Sequence, residues 1–152
     1  MIEQGSPEWK ALRLGKLTAS RMADVLATTK TGMSASRKNY LAQLVAERLT
    51  GEIGECFTNG AMAWGNEHEP LARAEYEIMK DTFVEQVPFV DHPHIDMCGA
   101  SPDGLAGDEG LVEIKCPNTA THIDYLLSKK PPAKYIPQMA LQLACTGRKW
   151  CD

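Results

Sequence analysis

Leu41, Leu44, Val45 and Leu49 recur at helical spacing, and Gly51 follows them as a stop. This predicts an amphipathic helix over 35–50 with those four side chains on its buried face. A longer helix is expected over about 59–80, with Trp64, Leu71, Ala72, Ile78 and Met79 as core candidates. Pro70 interrupts its hydrogen-bond ladder and predicts a kink or a restart near Glu69. Upstream, Ser6-Pro7 reads as a cap followed by a first-turn proline, opening a short helix through Trp9 and Leu12. Gly15 breaks it, Thr18-Ala19-Ser20 leads into a second short helix to about Ala27, and 28–34 reads as a polar loop. The period then shortens. Residues 83–90, 95–100 and 110–116 are rich in β-formers and separated by Pro, Gly, Asp and His, which predicts a three-stranded antiparallel meander. Helices return at about 119–128 and 134–145, Gly147 ends the last one, and 148–151 could open another strand. This order predicts an α+β or mixed α/β domain with helices packed on a sheet.

The chain has 152 residues, enough for one domain over 1–152, and it shows no internal repeat or linker. No apolar run approaches the roughly 20 residues that span a bilayer. The N-terminus lacks a basic segment followed by an apolar one, so a cytoplasmic protein is expected. Five cysteines are widely spaced without a CxxC, which predicts free thiols rather than a disulfide frame or a cysteine-held metal. His92-x-His94 near Cys98 is an incomplete zinc pattern, and Pro93 between the histidines favours a turn. Net charge is −4, which does not advertise a nucleic-acid binder. Its distribution says more. Residues 1–40 carry a balance of +4, residues 52–113 a balance of −12, and residues 114–152 again +4. An acidic middle between basic ends suits a metal site flanked by phosphate-binding surfaces, although charge alone favours a solvated mixture.

The sharpest chemical signal is Ser101-Pro102-Asp103-Gly104 followed by Gly110-Leu111-Val112-Glu113-Ile114-Lys115-Cys116-Pro117. Strand alternation puts Glu113 and Lys115 on one face and Val112 and Ile114 on the core face. A short hairpin would bring the Asp103 carboxylate beside Glu113. Two converging carboxylates repel unless a cation sits between them. Mg²⁺ prefers such hard oxygen ligands and can polarise a phosphate and lower the pKa of water. Lys115 adds a positive charge that can orient the attacking water or stabilise charge on phosphorus. An isolated E-x-K would be an ordinary exposed ion pair. The upstream Pro-Asp and the apolar alternate face raise it above that.

This pairing resembles the PD-(D/E)xK nuclease superfamily, and within it the phage lambda exonuclease/YqaJ viral recombinase family. Leu12-Arg13-Leu14-Gly15-Lys16-Leu17-Thr18-Ala19-Ser20 is similar to that family's phosphate-binding segment. Ala63-Trp64-Gly65-Asn66-Glu67-His68-Glu69 resembles its W-G-x-x-x-E helix. The Asp103 and Glu113 segments match its catalytic core, and Tyr135-Ile136-Pro137-Gln138 falls where it has a helical glutamine. The resemblance implies a restriction-endonuclease-like core with helices around a mixed sheet. It implies metal ligands Asp103, Glu113, the Ile114 carbonyl and Glu69, a catalytic Lys115, and Gln138 supporting that lysine. Arg13, Ser20 and Ser101 would hold a terminal 5′-phosphate, and Met62 could wedge into the DNA end. Family members continue with further strands and a helix, so the chain is expected to be cut short as a strand begins. The implied activity is a Mg²⁺-dependent (or Mn²⁺-dependent) 5′→3′ exonuclease on double-stranded DNA ends, phage or prophage encoded. It would serve recombination as a ring-shaped homotrimer beside a single-strand annealing protein. The alternatives are a structure-specific or restriction-like endonuclease of the same superfamily, or a non-catalytic DNA-binding module on the same fold.

Overall fold

The structure, a computed structural model, describes residues 2–54 and 60–152. Its helices begin where local chemistry supplies a cap. Ser6 Oγ accepts from Trp9 N at 3.1 Å and opens α1 (Pro7–Arg13). Ser34 does the same for α3 (Ala35–Thr50), and Asn118 for α5 (Thr119–Ser128). Gly51 and Gly147, both left-handed, end α3 and α6 (Ile136–Thr146). A 3₁₀ turn (Ala19–Arg21) and α2 (Met22–Leu26) lie between α1 and α3. The long helix α4 (Gly60–Lys80) is assigned as one element through Pro70, so no restart occurs at Glu69.

The strands are shorter and more scattered than the expected meander. A three-stranded sheet runs β1-β6-β5, with β1 (Leu17–Thr18) parallel to β6 (Cys98–Ala100) and β5 (Val90–Asp91) antiparallel to it. A four-stranded sheet runs β4-β7-β8-β9. There β4 (Val84–Glu85), β7 (Gly104–Ala106) and β8 (Gly110–Val112) pair antiparallel, and β9 (Trp150–Cys151) joins β8 in parallel. A small hairpin, β2 (Thr28–Thr29) with β3 (Gly32–Met33), occupies the expected polar loop. The segment 83–90 thus divides between the two sheets. Between the expected strands 95–100 and 110–116 the chain forms a further strand, β7. Two small cores result. One joins Ala19, Ala100 and Cys145 beneath α6, and the other joins Val84, Ala106 and Val112 with Tyr76 and Ile114 against them.

Two helices turn the opposite way from the expectation. Leu41, Val45 and Leu49 on α3 are exposed, and the helix buries Tyr40 and Glu47. The reason is unsatisfied backbone. Glu47 Oε2 accepts from Gly15 N at 2.9 Å, and Tyr40 Oη accepts from Thr18 N at 3.0 Å. Buried N–H groups need such partners, and leucine offers none. On α4, Trp64, Leu71, Ile78 and Met79 are exposed and Ala72 is half-buried. The inward stripe is Glu69, Arg73, Tyr76 and Glu77, and Glu77 Oε1 accepts from Val84 N at 2.7 Å. None of the described residues forms a helix long and apolar enough to cross a membrane.

Candidate active site

The chain crosses from the first sheet to the second at Ser101-Pro102-Asp103, between β6 and β7. Pro102 is fully buried there. A Cβ on Gly104 would fall 2.1 Å from Val84 Cγ1, so glycine is what lets β4 close over this link. Asp103 Oδ2 accepts the backbone N–H of Ile114 at 2.6 Å. That bond ties the link to the segment leaving β8 and sets Asp103 beside Glu113.

Glu113 continues the pairing of β8, its N–H donating to Asp152 O at 2.9 Å. Its side chain is only 3% exposed. Oε1 accepts from Lys115 Nζ and, at 2.6 Å, from Gln138 Nε2, and Oε2 accepts from Gln142 Nε2. The contact of Glu113 with Lys115 agrees with the alternation read from the sequence, as does the burial of Val112 and the packing of Ile114 on the second core. Gln138, expected to support Lys115, shares the Glu113 Oε1 acceptor with it.

Glu69 lies on the inward stripe of α4 and pairs with Arg73 one turn later at 2.5 Å. Burial pushes the Asp103 carboxyl up to about 7, and the Glu113 and Glu69 carboxylates add to the rise. Lys115 and the Ile114 N–H pull in the opposite direction. For Lys115 itself, burial works against the ammonium, but Glu113, helped by Asp103 and Tyr135, outweighs it and the pKa is raised. The pocket is thus a set of mutually repelling acids with one lysine among them. Among the described residues no three His, Cys, Asp or Glu side chains converge as a ready-made metal site. Asp103 feels the charges of Glu113 and Glu69, while the Glu113 oxygens face Lys115 and two glutamines. Ile114 meets Asp103 through its N–H.

The expected phosphate residues lie on three segments: Arg13 ends α1, Ser20 lies in the 3₁₀ turn and Ser101 follows β6. The Arg13 guanidinium stacks 3.9 Å from the Trp9 ring centroid, and Trp9 Nε1 donates to Ser101 Oγ at 3.0 Å. Arg13 and Ser101 are thereby linked through one indole. Ser20 follows β1 and is exposed, its hydroxyl 3.4 Å from Thr18 Oγ1. Met62 stands 44% exposed in the first turn of α4. His68 stacks on Trp64, with ring centroids 3.6 Å apart. His92 Nδ1 accepts from the backbone N–H of His94 and Ile95, so that pair makes a turn. Cys98, Cys116, Cys145 and Cys151 are free thiols, as expected, and Cys56 lies outside the described residues.

Two residues of this neighbourhood escaped the sequence reading. Gln142 is fully buried against Glu113, and its own Oε1 has no partner. Its signal was available. Gln138 and Gln142 are one turn apart on a helix otherwise made of apolar and small residues. Arg73 had no comparable signal, being one more helical arginine until α4 is packed.

A YqaJ-like viral recombinase domain model matches residues 8–149. The chain belongs to the YqaJ-like viral recombinase family. Among solved structures, it is similar to the alkaline exonuclease LHK-Exo from Laribacter hongkongensis at 55% identity and a TM-score of 0.86. LHK-Exo in complex with dAMP superposes at a TM-score of 0.88, with 96% of this chain and 71% of that one covered. A phage-related exonuclease from Haemophilus somnus, at 15% identity, TM-score 0.68 and coverage of 88% and 64%, shares the fold. No curated protein matches this family member. Alkaline-exonuclease relatives at this identity support a nuclease role.

Proposed function

We propose that this YqaJ-family chain is a divalent-metal-dependent 5′→3′ exonuclease on double-stranded DNA ends. The single observation that carries the reading is the junction where Asp103, Glu113 and Lys115 meet between the two sheets. The donor set suits Mg²⁺ or Mn²⁺. All its ligands are hard oxygens, and burial together with the neighbouring Glu113 and Glu69 carboxylates raises the Asp103 carboxyl. Asp103, Glu113, Glu69 and the Ile114 carbonyl would hold the ion, which would supply Lewis-acid activation of the phosphate and of water.

The chain's own residues would do the rest. Gln138 holds the Glu113 carboxylate from α6, so the acid is oriented before substrate arrives. Lys115 Nζ would donate to a phosphoryl oxygen as negative charge develops there. The Arg13 guanidinium, 3.9 Å from the Trp9 ring centroid, would bind a terminal 5′-phosphate. Ser101 accepts from Trp9 and so keeps its own O–H to donate. Ser20 would complete this anion pocket, and Met62 would brace the end of the duplex. The dAMP carried by LHK-Exo supports nucleoside monophosphates as products. A homotrimer acting in a host cytoplasm beside a single-strand annealing protein completes the reading. The apolar faces that α3 and α4 turn outward favour self-association.

The test is degradation, with and without Mg²⁺, of linear duplex bearing or lacking a 5′-phosphate and of closed circular duplex. Expected are metal-dependent loss of the linear substrate, faster with the phosphate, and an intact circle. Cleavage of the circle would point to the endonuclease reading. Binding without cleavage under any divalent metal would point to a non-catalytic module.

A further inference from the structure

From Tyr125 to Cys151 the chain carries no acidic residue, in a protein whose net charge is −4. Lys129, Lys130 and Lys134 fall in this stretch, and all are exposed. Among the described residues none of the three pairs with a carboxylate. Their segment is a built turn. Lys129 caps α5 in the left-handed conformation at φ 52°. Ser128 Oγ donates to the Tyr125 and Lys130 carbonyls at 2.9 and 3.1 Å. Pro131 and Pro132 then stiffen the path to the 3₁₀ turn Ala133–Tyr135. Within that turn the Tyr135 ring carries two cations. Lys134 Nζ lies 4.7 Å from its centroid and Lys115 Nζ 5.4 Å. One aromatic ring therefore joins the lysine of the proposed active site to the turn outside it.

We infer that Lys129, Lys130 and Lys134, set on the Ser128–Tyr135 turn, form a basic rim that grips the phosphate backbone of duplex DNA beside the cleavage site. The inference rests on the nuclease reading above and adds the surface that holds the substrate. Duplex DNA is the occupant that charge complementarity selects. The lysines carry positive charge that no carboxylate among the described residues neutralises, and each DNA strand presents a phosphate about every 3.4 Å along the axis. The turn fixes the backbone that bears the lysines, so less order is lost on binding than from a free tail. These residues act on binding and not on the chemical step.

Fluorescence anisotropy of a labelled duplex with the full chain, in EDTA and across 50–200 mM salt, tests this. The slope of log K against log salt should fall by about 2.7 in the K129A/K130A/K134A variant, three released phosphates at roughly 0.9 each. The K129R/K130R/K134R variant keeps the charge and should keep the slope. With Mg²⁺, the alanine variant should show a raised KM and an unchanged kcat at saturating DNA. Should the triple variant fail to fold, the single Lys134→Gln should still lower the slope by about 0.9. A wild-type slope and KM in the alanine variants would overturn the inference. If the wild type degrades linear duplex while the slope is unaltered, the rim alone is wrong. If the slope falls but no variant or wild-type chain cleaves, the nuclease reading fails and the rim stands.

Discussion

Replacing Gln142 with methionine separates positioning of Glu113 from packing of α6. Gln142 is fully buried, its Nε2 donates to Glu113 Oε2, and its Oε1 is buried without a partner. Methionine keeps the unbranched shape and removes both polar atoms. Loss of a hydrogen bond to a charged group costs about 1.5–3 kcal/mol, and removal of an unsatisfied buried acceptor returns about 1–3 kcal/mol. The two effects nearly offset, so stability should change by no more than about 2 kcal/mol. For a chain of this size that is a Tm shift of no more than about 8 °C. Activity should respond differently. Glu113 keeps Lys115 and Gln138 on one oxygen and loses the Gln142 donor on the other. A misplacement of about 1 Å at a reacting centre can cost about 100-fold. The expected result is a 10- to 100-fold slower Mg²⁺-dependent degradation of linear duplex, roughly within that limit, with half-activation shifted to higher Mg²⁺. Differential scanning fluorimetry reads the first quantity and a metal titration of the nuclease rate the second. A wild-type rate and metal response in Gln142→Met would refute the claim that this amide positions Glu113. A loss of more than about 4 kcal/mol would refute the offset between its two polar atoms.

Other outcomes follow from the same geometry. Lys115→Ala and Asp103→Ala should each abolish Mg²⁺-dependent degradation, measured by release of acid-soluble nucleotide, while leaving a cooperative melt; full activity in either would sink the site. Glu47→Ala should destabilise the chain by about 1–3 kcal/mol in urea denaturation, because it strands the buried Gly15 N–H. Burial, reinforced by Cys98 and Asp91, pushes the Cys145 thiol up to about 12, so it should resist alkylation at pH 8 in the folded chain and react once urea unfolds it. The sign of its linkage is defined. The folded form holds this proton more tightly than the unfolded one, so that stabilisation is complete below about pH 9 and is lost as pH rises toward 12. Alkaline melts should show the decline, and Cys145→Ala should flatten it.

Much of this protein is written locally. Ser6, Ser34, Gly51 and Gly147 mark helix ends because a cap needs only neighbouring atoms. The alternation from Leu111 to Lys115 already separates Val112 and Ile114 from Glu113 and Lys115, since strand side chains point to opposite faces whatever the strand pairs with. The ordered motifs at Arg13, Glu69, Asp103, Glu113 and Gln138 carry the family resemblance in the sequence alone. Tertiary structure decided what depends on partners far along the chain. It split 83–90 between two sheets and made a strand of 104–106, because short segments become strands only when a distant edge accepts them. It also turned Tyr40 and Glu47 inward ahead of Leu41, Val45 and Leu49, where the Gly15 and Thr18 N–H groups needed acceptors. The pocket around Glu113 belongs to both levels. Its acid and lysine are legible as spacing, but the second glutamine meets the acid only when α6 packs against β6 and β9. A fully buried carboxylate must be satisfied by whatever the packed helix can offer, and that requirement exists only once the chain has folded.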